Sequence, residues 1–335
     1  MTVTVAAAEL ERFATDVLVA VGMRPDDAAP MAQVVVASDL AGHESCGLRQ
    51  LPSYVEAVRS GLVDPAARPV VDVDRGSVLR VDGGTGFGHV TFRLVTDLVV
   101  ERARAQGICG VAVHRTHYVG RIADFCAAAA RQGVVTMVFL NQSGSHQVVA
   151  PHGGTQPRLA TNPVAFGVPR AGEGPDLVVD LATSAVAAGA LAEHRDRGGP
   201  DVPAWVTPDG VQLPFGGAKG FGLGLVVEAL AGALSGAGTV RPHPLDDAQG
   251  GFVVGVDAGA VRPLGDVTAD LETALAHVRT SAPADPAEPV RIPGEGTATR
   301  SAQRRADGVP VQDHTWRRMA VLAADLGVRP VAPSG

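Results

Sequence analysis

The feature that most constrains this chain is a change of periodicity near residue 68. Before it, Leu10, Phe13, Val17 and Val21 recur at helical spacing and mark an amphipathic helix over residues 6–22. Asp26 is placed to cap a second helix through Leu40, and residues 53–60 form a short third helix closed by Gly61. After residue 68, short β-branched runs alternate with helical stretches. Residues 70–73 and 78–81 are predicted strands, followed by a tight glycine-rich turn over 83–88. A helix over 91–106, a buried strand over 109–114, a helix over 122–131 and strands over 134–140 and 177–180 complete the pattern. An apolar helix follows at 220–235, then a Pro-rich stretch over 282–293. Residues 297–309 are polar and read as loop or helix start, and 314–327 as a terminal helix. Strand–helix alternation of this kind defines an α/β or α+β fold.

Bulk properties exclude several function classes. A 46% apolar and 19% charged chain of 335 residues suits a folded globular protein rather than a disordered one. A net charge of -7, with scattered arginines, argues against nucleic-acid binding. No apolar run reaches the length of a membrane span, and residues 1–20 lack the basic start of a signal peptide. Three cysteines, Cys46, Cys109 and Cys126, form neither a disulfide framework nor a metal-binding pair, so a reduced cytoplasmic setting and no metal site are expected.

One residue stands out from the composition. Of 28 basic residues only Lys219 is a lysine. A compact ammonium is not interchangeable with a guanidinium at a site that needs one. Lys219 sits in Pro214-Phe215-Gly216-Gly217-Ala218-Lys219-Gly220-Phe221-Gly222, a glycine-rich entry to a helix. Bare backbone N–H groups and a helix N-terminus favour an anion there, and the lysine is unfavourable at that end unless an anion is near. Phosphate or carboxylate binding is the functional reading; a solvated lysine on a helix start is the plain one.

Other motifs stay open when taken alone. Asp180-Leu181-Ala182-Thr183-Ser184 ends an apolar strand, where α/β folds commonly bind ligands, and it equally fits a cap for a following helix. Thr161-Asn162-Pro163 is a rigid polar turn. His43 to Gly47 and His117-Tyr118 are turns that could each supply a general acid. The dinucleotide fingerprint and the phosphate-loop lysine motif are both missing: Gly84-Thr85-Gly86-Phe87-Gly88 has the wrong third glycine, and Gly220 follows Lys219.

Seven stretches in order resemble the malate/L-lactate/sulfolactate dehydrogenase family, which is unrelated to the Rossmann-type lactate dehydrogenases. They are 39–61, Asp82-Gly83-Gly84, Val119-Gly120-Arg121, 151–169, 180–184, 214–236 and Pro293-Gly294-Glu295. The resemblance implies NAD- or NADP-dependent hydride transfer with a 2-keto or 2-imino acid, in a homodimer. It implies a helical domain built from residues 1–68 with 297–335, and a mixed-sheet α/β domain over 69–296, the sulfolactate-dehydrogenase-like fold. In that picture Gly120, Asp180, Leu181, Ala182, Thr183, Ser184, Lys219 and Gly220 line the cofactor, and Gly294-Glu295-Gly296 closes over it. Ser45, Arg49 and Thr161 address the substrate; many relatives carry the arginine one position later, where this chain has Gln50.

The departures fall on the chemistry. Relatives typically carry histidine where this chain has Cys46 and again where it has Tyr118, and both are the proposed proton-transfer groups. His117 is one residue out of register. Thiols and phenols, with ordinary pKa values of about 8.5 and 10, donate protons at neutral pH but are poor bases, which favours reduction. The catalytic candidates are therefore Cys46, Tyr118, His117 and Asp180. The segment 193–213 is shorter than in relatives, which reshapes the pocket rim. The resulting expectation is an NAD(P)H-dependent reductase of a 2-keto or cyclic 2-imino acid in a specialised biosynthetic pathway. A non-redox enzyme on the same scaffold, or an inactive binding homologue, are the alternatives.

Overall fold

The computed structural model describes residues 2–143, 147–172, 174–186, 204–207, 209–242 and 248–332. In chain order the strands are β1 (Thr2–Val5), β2 (Val70–Asp74), β3 (Val78–Gly86), β4 (Ile108–Thr116), β5 (Val134–Gln142), β6 (Val164–Val168), β7 (Leu177–Leu181), β8 (Gln249–Asp257) and β9 (Val309–Gln312). The longer helices are α1 (Ala7–Ala20), α2 (Pro25–Ala41), α3 (Leu51–Arg59), α4 (Gly88–Gln106), α5 (Ala123–Ala130), α6 (Ala218–Val227), α7 (Leu264–Arg279), α8 (Glu295–Asp307) and α9 (Asp313–Leu326).

The chain divides into two compact units, Met1–Arg68 with Arg170–Leu177 and Gly265–Gly335, and Pro69–Pro169 with Val178–Leu264. In the first, α1 buries Leu10, Phe13, Ala14, Val17 and Leu18, the stripe that its spacing dictates. The chain ends meet as strands: β1 pairs antiparallel with β9, placing Val5 opposite Val309, both fully buried. Asp26 does not cap α2. Pro25 takes the first helical position, where a missing N–H costs nothing, and Asp26 falls inside the first turn beside Asp27. Residues 295–307 are helical, the second of the two alternatives open for 297–309.

The second unit is a seven-stranded mixed sheet of order β2-β3-β4-β8-β5-β6-β7. β3 and β4 run parallel, joined by α4 as the crossover that a parallel pair needs. β4–β8, β8–β5 and β5–β6 are antiparallel. Phe92, Val95 and Val99 on α4 pack with Val111, Val113, Val138 and Val253 in one core, each such side chain worth about 1.5–3 kcal/mol on burial. Gly255 on β8 lets α4 approach, since a Cβ there would lie 2.2 Å from Val99 Cγ1.

Two local expectations are corrected. Residues 83–88 are not a tight turn: β3 continues to Gly86 with a register shift after Asp82, where Gly84 and Thr85 take positive φ. The apolar helix expected over 220–235 starts at Ala218 and changes to π-helix over Glu228–Leu234. No helix among the described residues is long and apolar enough to cross a membrane.

Candidate active site

Within the second unit, backbone hydrogen bonds stitch three of the sequence-predicted segments together. Thr183 donates its N–H (2.9 Å) and its hydroxyl (3.0 Å) to the carbonyl of Thr161. The Thr183 carbonyl accepts from Phe215 N–H (3.0 Å), and the Phe215 carbonyl accepts from Gly220 N–H (2.9 Å). Thr161, Thr183 and the start of α6 therefore form one rigid cluster. Gly220 is what permits it: a Cβ there would lie 2.5 Å from the Phe215 carbonyl and 2.6 Å from the Thr183 carbonyl.

Lys219 stands exposed in the first turn of α6, behind Gly216 and Gly217, both at positive φ. Beside them lies an open cleft of about 400 Å³ lined by Pro151, His152, Trp205, Leu213, Gly216 and Gly217. Side-chain-free backbone, a helix N-terminus and one ammonium are the donor set that a dinucleotide's phosphates require, so these residues fit a nicotinamide cofactor. Beneath the cluster, the strained Asn162 (φ 39°) donates to the Gly224 carbonyl (3.1 Å) and to the buried Glu228 carboxylate (2.8 Å). Asn141 and the Val240 N–H also donate to Glu228. Asn162 and Glu228 thus lock the Thr161 turn to α6. Sequence reading missed Glu228, although a lone acid in an apolar helix is its signal.

A second feature of the same unit is the turn from His117 to Ala123, which carries Tyr118 and Gly120. His117 N–H donates to the Gly86 carbonyl (3.0 Å) and Val119 N–H to Gln249 Oε1 (3.0 Å). At its end, Ala123 N–H donates to Asp180 Oδ2 (3.0 Å). Protein crowds the Asp180 carboxyl and raises its pKa to about 6, against the opposing pull of the Ala123 N–H and the Arg121 guanidinium. The side chain stays open to water on one side, which moderates that push. Asp180 thus ties the end of β7 to the Tyr118 turn. His89, on the first turn of α4, is buried behind Tyr118 and was not singled out from sequence.

The first unit holds Ser45, Cys46 and Arg49, all half-buried, in two short 3-10 turns after α2. Gln50 donates its side-chain amide to the Ser45 carbonyl (2.6 Å) and so braces the turn. Asp39 lies underneath. Its carboxylate accepts from Leu48 N–H (2.8 Å), and a Cβ on Gly47 would lie 2.1 Å from its Oδ2. Burial raises the Asp39 carboxyl to about 7, with Leu48 N–H opposing and Glu44 adding to the rise. Tyr54 is wholly buried nearby, its phenol pushed far up by burial and then by Cys46 and Asp39. Gly294 caps α8 and Glu295 lies in its first turn, where its carboxylate meets Arg279, Arg170 and the Ile292 N–H.

Cys109 and Cys126 are core residues, their thiols raised by burial to about 11 and 12. Among the described residues no group of three or more His, Cys, Asp or Glu side chains is gathered to hold a metal. Residues 187–203 and 208, which include much of the 193–213 segment and of the stretch where a helix capped by Asp180–Ser184 would run, lie outside the described residues.

A mixed sheet with a lysine-bearing, glycine-rich helix start, and without a dinucleotide fingerprint, defines a non-Rossmann α/β scaffold. It is the fold of sulfolactate dehydrogenase from Methanocaldococcus jannaschii, with a TM-score of 0.85 over 98% of each chain at 24% identity. Residues 5–320 match the malate/L-lactate dehydrogenase family, and the chain belongs to it. It is 34% identical to an L-lactate dehydrogenase of Cupriavidus necator, over 95% of this chain and 96% of that protein. The structure of Δ1-piperideine-2-carboxylate reductase from Pseudomonas syringae matches with a TM-score of 0.81 at 29% identity, covering 96% of this chain and 99% of that one. The chain is an oxidoreductase of this family.

Proposed function

We propose that this protein is an NAD(P)H-dependent reductase of a 2-keto acid or cyclic 2-imino acid, acting in the cytoplasm as a homodimer. The observation that carries the reading is the stitched cluster of Thr161, Thr183 and Phe215–Gly220 with Lys219 at its helix start. Lys219 and the Gly216–Gly220 backbone hold the cofactor phosphates, and Gly120 and the Asp180–Ser184 segment line its remainder. In the first unit Gly294-Glu295-Gly296 is assigned to the cofactor and Ser45 and Arg49 to the substrate; in the second unit Thr161 is assigned to the substrate. An arginine suits the substrate carboxylate because its fork matches two oxygens.

When bound, the reduced nicotinamide supplies a hydride to the carbon of C=O or C=N. The chain's own residues supply the rest. Tyr118 or Cys46 delivers the proton to the substrate oxygen or nitrogen, and Asp180 holds the Tyr118 turn through Ala123. Neither donor is a strong acid, so a C=N, whose nitrogen takes up the donated proton more readily than a carbonyl oxygen does, is the favoured electrophile. The relatives named for L-lactate and for Δ1-piperideine-2-carboxylate mark the two substrate classes to try first. The test is a panel of 2-keto and cyclic imino acids with NADH and with NADPH, followed by absorbance. Turnover with an imino acid is expected. No loss of the reduced cofactor with any compound, under conditions where a relative works, removes the proposal.

A further inference from the structure

The Tyr118 turn and the start of α4 are interlocked through one buried side chain. A Cβ on Gly88 would lie 2.3 Å from the His117 carbonyl and 2.7 Å from the Tyr118 carbonyl, so α4 begins directly against the turn. The next residue, His89, is 3% exposed. Its ring meets the Tyr118 ring edge to face, with centroids 6.3 Å apart and planes at 67°. On its other side the imidazole abuts Gly120, where a Cβ would lie 2.4 Å from Nε2. The imidazole is thus wedged between the Tyr118 ring and the Gly120 backbone.

We propose that His89 is a positioning residue for Tyr118, its wedged ring setting where the phenol stands for proton delivery. This rests on the reading of Tyr118 as a proton donor. Burial lowers the His89 pKa to about 3, with His117 adding to the effect, so the ring is neutral at any pH at which the enzyme works. A neutral, enclosed imidazole does not exchange protons with substrate. What it offers is a rigid edge and a fixed dipole against the phenol. The wedge also explains why position 120 is glycine: the backbone there needs positive φ (82°) and leaves no room for a side chain beside the ring.

The chain has two tyrosines, so a Tyr54→Phe background leaves Tyr118 as the sole phenol. Its ionisation is then read from the tyrosinate ultraviolet band, without any turnover. In His89→Ala the Tyr118 midpoint is expected to move by about half a pH unit or more, and in the polar near-isostere His89→Gln by less. In parallel, kcat of His89→Ala is expected to fall about tenfold with KM changed less than about twofold, and His89→Gln to recover most of it. Titration curves of both variants that superimpose on the parent overturn the inference. If His89→Ala does not fold, His89→Leu, which fills the space without the imidazole, decides: superimposed titration and unchanged kcat overturn it. A Tyr118→Phe variant with full activity overturns the donor reading itself, whatever the titration shows.

Discussion

The two units build their candidate sites from different materials. In the second, the Thr161–Thr183–Gly220 cluster is held chiefly by main-chain hydrogen bonds and by a glycine where no side chain fits, with the Thr183 hydroxyl and the Asn162–Glu228 pair adding to them. In the first, the Cys46–Leu48 turn rests on one buried, ionisable side chain, Asp39. Main-chain hydrogen bonds tolerate drift in the side chains and do not themselves titrate. A site built on a buried carboxyl can be disturbed by a proton. The Lys219 cluster thus has the unconditional construction and the Cys46 turn the conditional one.

The largest expected effect is Gly220→Ala. The new methyl would sit within 2.7 Å of three main-chain atoms of Phe215 and Thr183, none of which can step aside alone. A loss of about 3 kcal/mol or more in unfolding free energy is expected, together with loss of nucleotide binding. Gly47→Ala is the matched change in the first unit, but its clash is with the Asp39 side chain, which can rotate. It should cost less, about 1–2 kcal/mol, with denaturant titration reading both. Equal losses would erase the distinction between the two constructions.

Next in size is a pH effect in the first unit. The folded pKa of Asp39, about 7, lies above the ordinary carboxylate value of 3.8. Between those pH values the native state binds the proton that the unfolded state has released, so unfolding free energy falls as pH rises. The slope is about 1.4 kcal/mol per pH unit, which caps the total near 4 kcal/mol, with the loss complete above pH 7. Asp39→Asn should remove this slope, so that its stability relative to the parent improves steadily from pH 4 to pH 7. Parallel pH profiles for parent and variant would show that Asp39 does not titrate in this range.

How much of this was legible in the sequence follows the same division. The helical start and the strand–helix alternation announced the fold class because burial periodicity is local. The Lys219 segment was legible because glycines and a lone lysine mark a helix start without knowledge of the tertiary fold. Asp39 was not, since in Ser38-Asp39-Leu40 it reads as a polar helix residue, and only the chain's return through Gly47 buries it. His89 was hidden inside what reads as a glycine-rich turn, and its meaning depends on Tyr118, 29 positions later, being folded against it. Glu228 left a local mark as a lone acid in an apolar helix, but its role was not legible, because its partners Asn141 and Asn162 lie on other segments.

Lys219 comes third. It is exposed, so Lys219→Ala should leave stability within about 0.5 kcal/mol of the parent. Nucleotide affinity by calorimetry should weaken about ten- to thirty-fold, with a shallower salt dependence. Lys219→Arg should recover part of the affinity, because the charge survives and the compact ammonium does not. An unchanged affinity in Lys219→Ala would detach the helix start from any anion.

The smallest expected effect is Glu295→Gln, and it tests whether side chains or main chain matter at the Gly294-Glu295-Gly296 turn. The Glu295 carboxylate is already committed: burial would raise its pKa, but Ile292 N–H and the Arg279 and Arg170 guanidiniums outweigh that and lower it. A carboxylate neutralised by two arginines adds little charge to a cofactor site. The amide keeps an acceptor for Ile292 N–H and loses only partly exposed ion pairs, which costs less than about 1 kcal/mol. Nucleotide affinity should stay within about twofold of the parent. A larger loss of affinity with stability unchanged would mean that the carboxylate itself meets the cofactor, and the first unit would then contribute side chains rather than a backbone turn.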